Sequence, residues 1–416
     1  MTFNIQTSAQ QAKVASRVVA QLNNRQKNQL IETMASVIVQ NSAMIIEENA
    51  KDIQAGRAKG LTEAMLDRLL LTPQRVSDIA DAMLEIVSLQ DPVGHVSELA
   101  LRPNGMQVGR MSIPLGVIAM IYEARPNVTA EAAALCIKSG NAVILRGGSE
   151  AIHSNVAIAK CLHQALASMS INENAVTVIP DTSREVIEVL LKQSDTIDLV
   201  IPRGGEGLIR YVTENSRIPV IQHFKGVCHL FIDKFADHKK AVDILLNGKV
   251  QRPSACNAIE TLLVHKDVAD ELLPKIAGEL NAKDVVVHAC DSSIEYFSGA
   301  SLATEDDFHA EYLTYEIAVK IVDGFEHAIE HINTYTSDHT EVIVTQDTSR
   351  AQLFIRQINS SVVMVNASSR FSDGGQLGLG SEIGISTSKL HAYGPMGLDA
   401  LTTKKFIVLG DGQIRD

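Results

Sequence analysis

The 416-residue chain has five cysteines but no Cys-x-x-Cys spacing, and it has no apolar run of membrane-spanning length and no excess of basic residues. The scattered positions Cys136, Cys161, Cys228, Cys256 and Cys290 indicate neither a zinc site nor a disulfide framework, and they fit a reducing cytoplasm. The N-terminal stretch MTFNIQTSAQQAKVASRVVAQLNN is amphipathic without a continuous apolar core, so neither secretion nor membrane insertion is expected. With 37 Lys and Arg against 49 Asp and Glu, the formal net charge is −12, which argues against a nucleic-acid or acidic-membrane binder. An anionic ligand must therefore be held by locally clustered Arg, Lys or backbone N–H groups. There is no internal repeat and no low-complexity tract. The remaining composition, 45% hydrophobic and 21% charged, is that of a globular protein long enough for two or three domains.

Apolar residues at helical spacing, Val14, Val18, Val19 and Leu22, then Leu30, Met34, Val37 and Ile38, predict helices over most of residues 8–90. Around 99–111 the period becomes extended, and Asn104-Gly105 supplies the turn of a hairpin. From Pro114 onward strands alternate with helices. Strands are expected at 116–122, 142–145, 175–179, 196–201, 229–233, 261–264, 285–288, 340–345, 362–366 and 402–408. The alternation over 116–201 implies a parallel sheet with ligands gathered at the C-terminal ends of its strands. The segment Arg203-Gly204-Gly205-Glu206-Gly207 joins a strand to a helix, so its amides could cradle a phosphate; a tight turn explains the same glycines equally well.

The stretch Lys249 to His265, KVQRPSACNAIETLLVH, sets a single cysteine between a turn-prone approach and a β-rich run. Pro253 removes a backbone donor and fixes φ, so no regular helix or central strand runs through the approach. Arg252 favours a thiolate at Cys256, which would make it a nucleophile. A buried packing thiol is the other reading of this window.

Seven blocks in order carry a resemblance to a known family: YEARPNVT (122–129), KSGNAVILRGG (138–148), IPRGG (201–205), QRPSACNAIETLLVH (251–265), EYLTYEIAVKIVD (311–323), HINTYTSDHTEVIVT (331–345) and NASSRFSDGGQLGLGSEIGISTSKLHAYGPMGL (366–398). Together they resemble the aldehyde dehydrogenase superfamily, most closely its γ-glutamyl phosphate reductase branch. The resemblance implies an α/β aldehyde dehydrogenase-like fold. A Rossmann-type cofactor domain (1–98 and 112–226) would accompany an α/β catalytic domain (227–388) and a small β oligomerisation arm (99–111 and 389–416). It also implies a cytoplasmic homo-oligomer that reduces L-glutamyl 5-phosphate with NADPH, with no metal and no nucleic-acid or membrane partner. Because acyl phosphates hydrolyse readily, transient contact with glutamate 5-kinase is expected as well.

By the same resemblance Cys256 is the nucleophile and Asn127 the side-chain donor to the oxyanion, although Asn127 could instead cap the helix that follows it. Arg146 and Ser149 stand where the superfamily has a lysine and a ribose-binding glutamate, which favours a 2′-phosphate and hence NADP(H). Neighbouring Glu150 works against that preference. Arg203, Gly204 and Gly205 would sit by the coenzyme phosphates, and Glu311 by the nicotinamide ribose. Glu123, Arg125, His223, Arg252, Ser369 and Arg370 are candidates for the substrate. Hydrolytic members carry a glutamate base about thirty residues before the cysteine, whereas this chain has Ile221-Gln222-His223-Phe224-Lys225-Gly226. Without that base, water is not activated and a thioester can pass to phosphate. A CoA-acylating enzyme, or a catalytically silent nucleotide-binding member of the fold, would share some of these features.

Overall fold

The computed structural model describes residues 3–415. Its contacts divide into two units: 1–222 with 379–384 and 396–416, and 223–378 with 385–395. The first division falls at 222/223, and the C-terminal chain crosses between units more than once.

The first unit opens with helices Ile5–Val19, Asn24–Gln40, Ser42–Ala58, Glu63–Leu69 and Pro73–Ser88. Side chains of Asn4, Asn23, Thr62 and Thr72 each accept an N–H of the first turn that follows, satisfying donors that have no partner within the helix. A four-stranded parallel sheet then runs in the order Val176–Val178, Ala142–Gly147, Val117–Tyr122, Leu199–Arg203. Every residue of Val117–Tyr122 and Ala142–Gly147 is buried, as expected for strands covered on both faces. The chain winds outward from Val117–Tyr122 in one direction and then returns to its other side. The switch point therefore lies between Val117–Tyr122 and Leu199–Arg203, where a doubly wound sheet opens a crevice.

The expected hairpin is present as Val96–Leu101 and Gln107–Pro114, with Gly105 at φ +87°, and Thr402–Leu409 completes a three-stranded antiparallel sheet. Leu99, Leu101, Phe406, Val408 and Leu409 are exposed on it.

The second unit holds seven parallel strands in the order Ser301–Leu302, Val286–Ala289, Glu316–Val322, Ile259–His265, Cys228–Ile232, Thr340–Val344, Val362–Val365. Leu230, Leu262, Val319 and Val342 pack one face of this sheet; Phe231, Leu263, Val322 and Ile343 pack the other against Phe325 and Phe354. The alternation follows from the two-residue period of a strand buried on both sides. Glu316–Val322 was not expected as a strand. It lies well inside the sheet, with Lys320 bonded to His331 on the helix Phe325–Tyr335 at 3.3 Å. The tail read as an ordered loop region contains the short paired strands Gly384–Ser386 and Gly394–Met396. Among the described residues no helix is long and apolar enough to cross a membrane.

Candidate active site

In the second unit the helix His238–Val250 ends just before Pro253, whose ring disfavours helical backbone in the residue preceding it. Two successive turns follow, Ala255 N–H to Arg252 O at 3.2 Å and Ala258 N–H to Ala255 O at 2.9 Å. They present Cys256, partly buried, immediately before the strand Ile259–His265. The neighbouring segments arrive the same way. His223 and Gly226 precede Cys228–Ile232, Glu311 precedes Glu316–Val322, and His339 immediately precedes Thr340–Val344. All of these segments enter one parallel sheet. Its chemistry-bearing residues collect where the strands begin, because adjacent parallel strands starting at one level bring their incoming loops together.

Gly226 lies against the backbone of Cys256. A Cβ built on it would overlap the Cys256 carbonyl and stand 2.9 Å from Cys256 Cα, so no larger residue fits without moving the cysteine. The Gly226 amide donates to Glu311 Oε1 at 2.9 Å, and the Cys228 thiol donates to Cys256 O at 3.3 Å. Glu311, expected near a ribose, is here fastened to the segment that covers the cysteine.

His339, not singled out from the sequence, is fully buried beside this group, and its ring centroid is 4.9 Å from that of His223. One ligand atom each of His223, Cys256 and His339 lie within 4.8 Å of one another. Burial first, then repulsion from His223, pushes the pKa of His339 down to about 3, so the ring is neutral. Its tautomer follows from the bonds around it. The Thr340 hydroxyl gives its one proton to Ser372 Oγ at 2.8 Å and must therefore accept from His339 Nδ1–H at 2.7 Å. The lone pair is left on Nε2, a buried atom with no hydrogen-bond partner.

Arg370 grips the Cys256 segment. Its Nε donates to Gln251 Oε1 at 2.7 Å and its Nη1 to Asn257 Oδ1, one on each side of Cys256. Burial, then repulsion from Arg252, lowers the Arg370 pKa; Cys256 acts in the opposite sense, as a negative sulfur near the guanidinium would. Ser369 is fully buried, its Oγ 3.4 Å from where a Cβ on Gly248 would stand. Below the segment, Lys249 Nζ pairs with Glu260 Oε2 at 2.5 Å, both side chains wholly buried. Burial pushes the Glu260 pKa up to about 7 against the opposing pull of Lys249.

In the first unit the candidates gather at the switch point. Glu123 N donates to Arg203 O at 3.1 Å, and Gly205 N, at the start of the helix Glu206–Asn215, donates to Glu123 Oε2 at 3.1 Å. A Cβ on Gly204 would come within 2.7 Å of the Glu123 carboxyl. That helix end already takes an anionic group, as a phosphate-binding turn should. Arg146, nearly buried, donates from Nη2 to Thr182 O at 2.6 Å, while its Nε is buried without a partner. The donors of Arg146 and of the helix end fit a dinucleotide phosphate. Ser149 is exposed, and Glu150 Oε1 is held by Ala124 N at 2.5 Å.

Asn127 is the first residue of the helix Asn127–Lys138. Pro126 occupies the cap position and no side chain caps the helix, which corrects the reading of Asn127 as an N-cap. Its Nδ2 donates instead to Glu131 Oε1 at 2.9 Å. Burial raises the Glu131 pKa; the Asn127 bond, then Arg203 and exposed Arg125, pull it back.

The profile of the aldehyde dehydrogenase family matches residues 3–295. A gamma-glutamyl phosphate reductase of Colwellia psychrerythraea is 72% identical over 414 residues, covering 99% of each chain. One of Idiomarina loihiensis is 59% identical over 98% of each. The crystal structure of the gamma-glutamyl phosphate reductase of Thermotoga maritima superposes with a TM-score of 0.98 at 42% identity over the whole of both chains.

Proposed function

The chain belongs to the aldehyde dehydrogenase family, within its γ-glutamyl phosphate reductases, and from that premise we propose that its reaction passes through an acyl thioester on Cys256. The reaction is the reduction of L-glutamyl 5-phosphate to L-glutamate 5-semialdehyde with release of phosphate, the second step of proline biosynthesis from glutamate. A nicotinamide coenzyme, when bound, supplies the hydride.

The Cys256 sulfur attacks the acyl carbon, the carbon–oxygen bond to phosphate breaks, and a thioester remains. Thiolate character comes from Arg370 and Arg252. His339 is too weak a base to take the proton of an ordinary thiol, whose pKa lies about 5 units above that of this ring. Its neutral ring stands beside the sulfur without taking that proton. The same weak basicity protects the thioester, since neither Gln222 nor a neutral, buried His339 activates water as a carboxylate would. That this chain has Gln222-His223 where hydrolytic members carry a glutamate is the observation that carries the proposal. Asn127, its amide steered by Glu131, would donate to the oxyanion on the family pattern, together with the Cys256 amide. Arg252, Arg370 and His223 are left to hold the departing phosphate and the substrate.

Arg146, Ser149 and the amides at Gly204 and Gly205 would hold the coenzyme, with Arg203 beside its phosphates and Glu311 near its nicotinamide ribose. A guanidinium with a spare donor, and no carboxylate at position 149, favour a 2′-phosphate and therefore NADP(H). Glu150 does not oppose this, because its carboxylate is turned onto the Ala124 amide. Glu123, engaged at the same helix end, is better placed for the coenzyme side than for the substrate.

Apolar side chains exposed on the three-stranded sheet favour a homo-oligomer joined through it; Phe406→Asp should yield smaller species in sedimentation, and unchanged sedimentation would refute the contact. Delivery by glutamate 5-kinase rests on the lability of the acyl phosphate. It predicts that coupled turnover resists a hydroxylamine trap, and complete trapping would exclude it. The function itself is tested in reverse. Oxidation of glutamate 5-semialdehyde should require inorganic phosphate and vanish in Cys256→Ala, and phosphate-independent turnover, or CoA serving in place of phosphate, would overturn it.

A further inference from the structure

We propose that Cys256, His339 and His223 form a regulatory site for a thiophilic divalent cation of the zinc class, whose occupancy silences the enzyme; the silencing, though not the binding, rests on Cys256 being the nucleophile. The three residues arrive on the incoming segments of three adjacent strands, and their ligand atoms lie within 4.8 Å of one another. A tetrahedral zinc ion with sulfur and nitrogen ligands needs those atoms about 3.3–3.6 Å apart, within reach of small side-chain rotations. Cys256 and His223 are partly exposed, so a cation can reach them from solvent.

An independent observation points to a ligand. His339 is 0% exposed, yet its Nε2 has no hydrogen-bond partner, and the Thr340 and Ser372 hydroxyls fix the tautomer that leaves the lone pair there. A buried lone pair on one ring nitrogen, with the other nitrogen's N–H donated to a hydroxyl, is the arrangement of a metal-binding histidine. Three protein ligands would leave a fourth position for water or phosphate.

The surrounding charges define the class of cation. Arg370 feels both the charge of Arg252 and that of Cys256, and two guanidinium groups near the sulfur would repel a cation bound by charge alone. Hard ions such as Mg²⁺ and Ca²⁺ are therefore disfavoured. A soft or borderline ion gains from the sulfur–metal bond itself. As that bond forms, the Cys256 S–H bond breaks and its proton leaves to solvent, so binding tightens as pH rises. The bound ion occupies the sulfur electron pair that would attack the acyl phosphate.

The probe is Co²⁺ added to the full-length protein without coenzyme. A near-ultraviolet sulfur-to-cobalt charge-transfer band should appear with one equivalent per chain, be displaced by Zn²⁺ but not by Mg²⁺, and be lost in Cys256→Ser. Zn²⁺ should slow alkylation of Cys256. In His339→Ala and His223→Ala the affinity should fall by at least the roughly ten- to hundredfold that loss of an outer-shell partner produces. His223 is partly exposed, so its variant retains the fold if removal of buried His339 does not. No band, a band that survives Cys256→Ser, or equal affinity in His223→Ala would overturn the site. A stoichiometric band in a protein whose turnover continues would leave the site standing and refute Cys256 as the nucleophile.

Discussion

Replacing Lys249 by methionine should destabilise the protein by about 3–5 kcal/mol at pH 8, the usual result of leaving one member of a buried ion pair uncompensated. The geometry sets that range. Both side chains are 0% exposed, the Nζ–Oε2 distance is 2.5 Å, and the remaining carboxylate would keep only the Leu313 amide at 3.4 Å. The pH dependence separates loss of charge from loss of packing. Folding raises the Glu260 pKa from 4.5 to about 7, so the folded state binds the proton more tightly than the unfolded chain. The stability this group contributes is therefore fully present below pH 4.5 and is lost as pH rises through 7. Without Lys249, which lowers the value, the folded pKa climbs further, so the deficit of the variant should be largest above pH 8 and shrink towards pH 5. The double variant Lys249→Met/Glu260→Leu should return close to parental stability. With no tryptophan in the chain, urea unfolding followed by far-ultraviolet circular dichroism at pH 5, 7 and 9 is the assay. A deficit independent of pH, or a double variant weaker than the single one, would show that the buried Glu260 charge is not what Lys249 offsets.

Gly226→Ala should keep its circular dichroism spectrum but lose about a hundredfold or more in kcat, because the added methyl group must displace the Cys256 backbone and small misplacements of reacting groups have effects of that size. Near-parental activity would show that the close approach is unimportant. Asn127→Ala should lower kcat by roughly 10²–10³, with KM little changed, if its amide meets the oxyanion; a rise in KM alone would assign it to substrate binding. Arg146→Leu should reduce kcat/KM for NADP⁺ by about tenfold or more relative to NAD⁺, which is the scale of one charge-assisted contact. An unchanged ratio of the two coenzymes would remove Arg146 from the 2′-phosphate.

The parallel α/β architecture was legible in the sequence because fully buried strands such as Val117–Tyr122 and Ala142–Gly147 are nearly unbroken apolar runs. Glu316–Val322 escaped because Glu316 and Lys320 interrupt its run, and only the fold supplies His288 and His331 as their partners. Pro253 correctly marked where the helix before Cys256 must stop. His339 carried no local signal. A histidine in Ser-Asp-His-Thr reads as a turn residue, and its meaning depends on Ser372, 33 positions away, fixing the direction of one hydroxyl proton. The side of the second sheet on which the site gathers was likewise unreadable, since it depends on which strands start level with one another. Arg370 could be noted as a polar residue near the site, but its grip on Gln251 and Asn257 is a long-range contact that no spacing encodes.

If Cys256 carries an acyl group which phosphate, not water, removes, that group is seen by rapid mixing of the protein with glutamate 5-semialdehyde and NADP⁺ in phosphate-free buffer. A burst of about one equivalent of NADPH per chain should appear and then stall, as expected when an acyl-enzyme accumulates. Added phosphate should restart turnover, and Cys256→Ala should show no burst. Continuous NADPH formation without phosphate, or an undiminished burst in Cys256→Ala, would contradict the account.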